Sequence, residues 1–251
     1  LNEVSEIFVH PNMGDGGLAA GSALRIHARM RPGESSPRRL HHVYFGPCMP
    51  ESSIRAALDH HNLKYRTAES PEMEAARMLA AGKCIAWCRG AMEYGPRALC
   101  HRSILYQATD PTVNDWLNRR LKRSEFMPFA PVLREERLKD YFVDYEKSLY
   151  ALEYMTITLY ANDRCCREAP AVVHVDNTAR PQIIRKLVEP QMYRMLGEYE
   201  RLTKLNILIN TSYNMHEEPI VCTAEDAVEA FLQSRLDAIF LENFVVESNQ
   251  G

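Results

Sequence analysis

Hydrophobic and polar positions repeat with two periods along the chain. Apolar residues recur at helical spacing in LAAGSALRIHARM (18–30), ESSIRAALDHHN (51–62), PEMEAARMLAAG (71–82), PTVNDWLNRRL (111–121), EPQMYRMLGEYERLT (189–203) and TAEDAVEAFLQS (223–234). These predict helices. Pro71 opens one and Gly82 follows its end, and a Thr223…Asp226 capping pair opens another. In PTVNDWLNRRL the apolar face is Val113, Trp116, Leu117 and Leu121. β-Branched and apolar runs predict strands at IFVH (7–10), HHVYFGP (41–47), KCIAWCR (83–89), SILY (103–106), EYMTITLY (153–160), AVVHV (171–175), KLNILIN (204–210) and LDAIFLENFVV (236–246). RPGESSPRR (31–39) reads as a linker, with Pro, Gly and Ser and no periodicity. Strands and helices mix throughout, so the expected class is α/β or α+β, a sheet flanked by helices.

Composition narrows the class. Hydrophobic residues make up 46% and charged residues 25% of 251, which excludes collagen, coiled coil and wholesale disorder. A chain this long buries enough surface to fold without staples. No run approaches the ~18 apolar residues of a membrane span. The start, LNEVSEIFVHPN, has acids where a signal peptide has bases. It begins at Leu1 in what reads as mid-strand, so the sequence reads as a fragment. The seven cysteines are odd in number and form no CxxC pair. Cys84 and Cys88 look like small apolar positions in a buried strand, and the chain reads as reduced and cytoplasmic.

The charge is uneven. With 30 basic and 33 acidic residues the net charge is −3, yet residues 95–125 hold Arg97, Arg102, Arg119, Arg120, Lys122 and Arg123 against Asp110, Asp115 and Glu125. A basic stretch within an acidic chain points to a local anion site. A nucleic-acid surface usually makes the whole domain basic. Arg119, Arg120 and Arg123 read as a solvated helix side. Arg97 and Arg102 lie in RGAMEYGPRALCHRSILY, which Gly90, Gly95 and Pro96 shape into a turn before a strand. Either both guanidinium groups meet phosphate oxygens in one pocket, with Ser103 adding a hydroxyl and Glu93 orienting an arginine, or they pin a surface turn. HVDNTARPQ (174–182) and LINTSYNMHEEPI (208–220) set further donors and acceptors after apolar strands, where α/β ligand sites form. GDGG (14–17) precedes a helix. His41–His42 and His60–His61 read as surface residues, because neighbouring residues on a regular element point apart.

Four segments, GAMEYGPRALCHRSIL, LNRRLKRSEFMPFAP, HVDNTARPQ and NTSYNMHEEPIV, stand in an order that resembles the C-terminal part of the NodU/CmcH-type O-carbamoyltransferases. With weaker flanks the resemblance covers roughly residues 65–245. It implies a YrdC-like open twisted sheet over 41–251. Residues 1–40 are then the tail of an N-terminal kinase-like, threonylcarbamoyltransferase-like domain, the rest of which this chain lacks. It also implies an ATP-dependent O-carbamoyltransferase that joins ATP, with Mg2+, and carbamoyl phosphate into carbamoyl adenylate. The carbamoyl group then passes to the hydroxyl of a small-molecule acceptor. By the same resemblance, Arg97, Lys122 and Arg180 are catalytic phosphate-binding positions. Arg102, Ser103, Asn210, Ser212 and Asn214 line the substrate and nucleotide pocket. Asp15 is one ligand of an iron-type metal whose two His partners lie outside this sequence.

Three departures stand out. Cys100 replaces a Gly of the family, and a side chain there needs negative φ or tolerated strain. Met127 replaces an Arg before PFAP. Asn177 replaces the Gly of HVDGT but tolerates left-handed geometry. Cys100 and Met127 motivate the alternative reading, a non-catalytic nucleotide- or anion-binding regulatory module.

Overall fold

The computed structural model describes residues 3–34, 39–122 and 129–248. Among them the helices are α1 Leu18–Met30, α2 Glu51–His60, α3 Pro71–Ala80, α4 Val113–Arg120, α5 Leu138–Tyr141, α6 Leu149–Leu152, α7 Asp163–Glu168, α8 Pro190–Thr203 and α9 Ala224–Ser234. The strands are β1 Arg66–Thr67, β2 Ile85–Cys88, β3 Arg102–Gln107, β4 Ala130–Arg134, β5 Leu159–Tyr160, β6 Thr178–Ala179, β7 Gln182–Ile184, β8 Ile207–Ser212, β9 Ala238–Leu241 and β10 Phe244–Glu247. Eight of them form one open sheet in the order β1-β10-β9-β2-β3-β8-β4-β7, and β5 pairs with β6 apart from it. β2 runs parallel to β9 and β4 to β7, while the other ladders of the large sheet are antiparallel. The fold is therefore α/β with a mixed sheet.

Both faces of the sheet are covered, which explains its nearly continuous apolar strands. Side chains alternate between the faces. Ile85 and Trp87 of β2, Leu208 of β8 and Phe240 of β9 pack with Leu79 of α3 and Met195, Leu196 and Tyr199 of α8. Their neighbours Ala86, Cys88, Ile209, Ile239 and Leu241 pack on the other side with Ile54 and Leu58 of α2, Leu117 of α4 and Val228 of α9. Burial pushes the Cys88 thiol up to about 12, as expected of a cysteine acting as a small hydrophobe.

Local chemistry sets the helix ends. Pro71 opens α3, and Gly82 turns out of it with φ +77°. Thr223 and Asp226 form a reciprocal capping box on α9. Val113, Leu117 and Leu121 are fully buried below α4, with Trp116 packed beside them.

Several expected strands are absent. IFVH carries no ladder: Ile7 N–H donates to Lys147 O at 2.7 Å and Phe8 stacks on Tyr150. HHVYFGP is an extended loop whose Val43 carbonyl accepts from Tyr94 N–H. EYMTITLY keeps only its last two residues as β5, and AVVHV begins with a 3-10 turn, Pro170–Val172. Isolated β-branched runs are weak evidence, because strand preference follows packing context. α1 buries none of its own residues, and Leu18, Leu24, Ile26 and Met30 are exposed.

Candidate anion site

The loop between β2 and β3 is folded around one carboxylate. Oε1 of buried Glu93 accepts the backbone N–H groups of Leu99, His101 and Arg102 at 2.7, 2.7 and 3.0 Å. Glu93 thus holds the main chain, not an arginine side chain as the sequence suggested. Two left-handed glycines shape the approach, Gly90 at φ +59° and Gly95 at φ +111°. A Cβ on Gly95 would meet Pro11 O at 3.0 Å. Cys100 sits at φ +76°, so the position does demand the glycine-like conformation. Its N–H donates to Ser103 Oγ at 3.0 Å, and its thiol lies 3.3 Å from Gln182 Oε1. Asn177 also adopts the left-handed region, φ +58°, as its residue type allows. Met127 lies outside the described residues.

His101 closes the loop from behind. Its ring stacks on Tyr44 with centroids 3.7 Å apart, and Nε2 meets Glu189 Oε2 at 3.1 Å. Burial favours neutral imidazole, but the Glu189 carboxylate outweighs it and holds the His101 pKa above its ordinary value.

Arg97 and Arg180 emerge as a pair. Both are half-buried, and burial lowers both pKa values, Arg180 to about 10. The Arg97 charge pushes Arg180 further the same way, so the two cations feel each other. Among the described residues neither has a carboxylate or hydrogen-bond partner, and both Nε atoms are buried without one. Other part-buried arginines in this chain are paired: Arg185 meets Glu153 at 2.8 Å and Glu135 at 3.1 Å. Two desolvated guanidinium groups with no counter-ion among the described residues favour an anion, and their planar donors suit phosphate oxygens. His174 stands near Arg180 and Asp176; burial lowers its pKa, and Nδ1 lies 3.1 Å from Thr178 Oγ1.

Other predicted site residues lie elsewhere. Arg102 is wholly buried and donates to the carbonyls of Arg89, Gly90, His101 and Pro47, so it ties loops together. Ser103 is also fully buried beneath Cys100. Asn210 is 1% exposed and donates to Ala98 O and Gln182 Oε1, so it braces the arginine loop from below. Ser212 is half-buried at the end of β8, opposite Ser103, and Asn214 Nδ2 donates to Met215 O and Glu218 O within the next turn. Lys122 is exposed, and its ammonium reaches Gln233 Oε1 of α9 at 3.4 Å. No contact joins it to the arginine pair among the described residues. Arg120 lies over the Trp116 ring and donates to Arg235 O, and Arg119 donates to Asp115 O, as a solvated helix side would. Asp15 is an exposed carboxylate that belongs to no cluster of three or more His, Cys or carboxylate groups among the described residues, so this chain alone does not fit the implied iron-type centre.

The sequence reading missed Gln182 and the Glu189 contact to His101. Gln182 closes the HVDNTARPQ motif, which was a usable signal. Glu189 reaches its partner across the fold, and no local pattern marks it.

These features define an α/β domain whose β2–β3 loop, with the strand-end segment carrying Arg180, holds two cations that no carboxylate among the described residues neutralises. Residues 76–248 match the carbamoyltransferase C-terminus family, and the chain belongs to that family. It is 36% identical to the uncharacterized protein MJ1058 of Methanocaldococcus jannaschii, over 96% of this chain and 40% of that protein. It is 32% identical to the 3'-hydroxymethylcephem-O-carbamoyltransferase of Amycolatopsis lactamdurans, over 91% of this chain and 41% of that enzyme. The chain thus spans about two-fifths of the length of these relatives. The crystal structure of full-length HypF in its phosphate- and nucleotide-bound form is similar with a TM-score of 0.49 and 22% identity, over 70% of this chain and 25% of that one. No helix among the described residues is long and apolar enough to cross a membrane.

Proposed function

We propose that this chain activates a carbamoyl group, combining ATP, with its Mg2+, and carbamoyl phosphate into carbamoyl adenylate for transfer to an acceptor hydroxyl. The observation that carries the reading is the Arg97–Arg180 pair, half-buried and without a partner among the described residues. The chemistry asks for such a pair. A carbamate oxygen bonds to the α-phosphorus of ATP and the bond to pyrophosphate breaks. The phosphoryl group of carbamoyl phosphate leaves separately, to water, as inorganic phosphate. Charge builds on phosphate oxygens in both steps, and cations already fixed in a partly desolvated site stabilise it without reorganisation. Glu93, Asn210 and Arg102 hold the loop that carries Arg97 and do not touch substrate. Residues 1–40 belong in this reading to the neighbouring domain, where transfer occurs. α1, which buries none of its residues and leaves Leu18, Leu24, Ile26 and Met30 bare, supports that assignment.

The test measures pyrophosphate and phosphate release with ATP, magnesium and carbamoyl phosphate, each omitted in turn. Release of both products that needs all three supports the reading. Arg97→Ala and Arg180→Ala should each slow it by on the order of 10²–10³. ATP binding without release, in this chain and in the full-length protein, makes the domain a nucleotide-binding module instead.

A further inference from the structure

We propose that His60, His61 and Glu225 form a binding site for a divalent transition-metal ion of the zinc class, joining the end of α2 to the start of α9. His60 Nδ1 lies 3.1 Å and His61 Nε2 2.6 Å from the same oxygen, Glu225 Oε1. One ligand atom from each of the three falls within 4.8 Å of the others. Neighbouring residues of a continuing helix point about 100° apart and do not address one point. Two features overcome that here. The helix stops: His60 is its last residue, His61 is the C-cap at φ −88°, ψ 7°, and Asn62 turns left-handed. The two rings also present different nitrogens, the near Nδ1 of one and the far Nε2 of the other, so unequal reach brings both to one place. The ring centroids are 4.7 Å apart with planes at 58°. Glu225 sits in the first turn of α9, held by the Thr223–Asp226 capping box.

The donor set selects the ion. Two imidazoles and one carboxylate suit zinc and its neighbours, whereas magnesium and calcium need oxygen ligands. Ligands bound at 2.0–2.1 Å around a tetrahedral ion lie about 3.4 Å apart, close to the 3.1 Å His60–Glu225 separation and within reach of the others by side-chain rotation. Three protein ligands leave a fourth position. His60 and Glu225 also line a cavity of about 600 Å³ walled by Met49, Pro50 and Ala57, with Cys222 at its edge, so an exchangeable ligand enters from that cavity. Neither Arg97 nor Arg180 lines it.

Cobalt(II) is the probe, because its visible spectrum separates nitrogen and oxygen ligands from thiolates, and this chain has free cysteines. The expected result is one Co2+ per chain with d–d bands and no thiolate charge-transfer band, displaced by Zn2+. His61→Ala and Glu225→Gln, both at exposed or part-exposed positions, should weaken binding at least tenfold while metal-free melting shows both folded. Zn2+ should raise the melting temperature of the parent chain and not of the variants, since an ion bound only to the folded state stabilises it by mass action. Equal binding in parent and variants, a thiolate spectrum lost in Cys222→Ser, or no binding at micromolar metal overturns the proposal.

Discussion

Strain and electrostatic tension can be read at single residues. Cys100 occupies φ +76°, and a Cβ in the left-handed region costs about 1–2 kcal/mol. Cys100→Gly and Cys100→Ala both lose the buried thiol, but only Ala keeps the strain. The Gly variant should be the more stable of the two by about 1 kcal/mol in urea unfolding, and equal midpoints would refute the strain. Glu153 is a second case. Burial outweighs the pull of Arg185 and Arg39 and raises its carboxyl from 4.5 to about 6. The folded chain then holds this proton more tightly than the unfolded one, so the group's contribution is fullest below about pH 4.5 and declines as pH rises through 6. Stability of the parent relative to Glu153→Gln should fall by up to about 2 kcal/mol between pH 4.5 and 7. Denaturant midpoints across that range read it out, and a flat difference would contradict the raised carboxyl.

At the scale of elements, the β2–β3 loop is assembled by one acid. Removing it orphans three N–H groups at 2.7–3.0 Å, and each hydrogen bond to a charged group contributes about 1.5–3 kcal/mol. Glu93→Ala should cost at least about 3 kcal/mol and weaken ATP binding, because Arg97 loses its mount. Calorimetric unfolding and ATP titration together check this, and full stability in Glu93→Ala would exclude the loop-pin role. Elements differ in how far the sequence announced them. α9 declared itself through its capping pair, and the β9–β10 hairpin through continuous apolar runs. β4 was hidden by Pro131, which cannot donate to a ladder, and three-residue β7 by its brevity. EYMTITLY misled because β-branched residues also suit the packed loop before β5.

Across the whole molecule, motif order made the family and the arginine loop legible, but not which polar residues face outward. Arg97 and Arg102 are five apart in one motif, yet among the described residues one has no partner and the other spends its donors on four carbonyls. That division depends on how the β2–β3 loop closes on itself and where α2's leading loop lies, which spacing alone does not encode. Among the described residues the chain leaves Arg97 and Arg180 in electrostatic tension while it pairs arginines elsewhere, such as Arg134 and Arg137 on Glu200. Such tension has a measurable sign. Arg180→Met removes a desolvated charge and its repulsion from Arg97 while keeping a long apolar stem. In anion-free buffer it should stabilise the fold by on the order of 1 kcal/mol, about 2–4 °C in a domain of this size. Phosphate and pyrophosphate should raise the melting temperature of the parent chain and leave Arg180→Met nearly unmoved. Thermal melts with and without each anion decide it. A variant that melts lower than the parent in anion-free buffer would mean that Arg180 holds the fold, and the reading of the pair as a site awaiting an anion would fall with it.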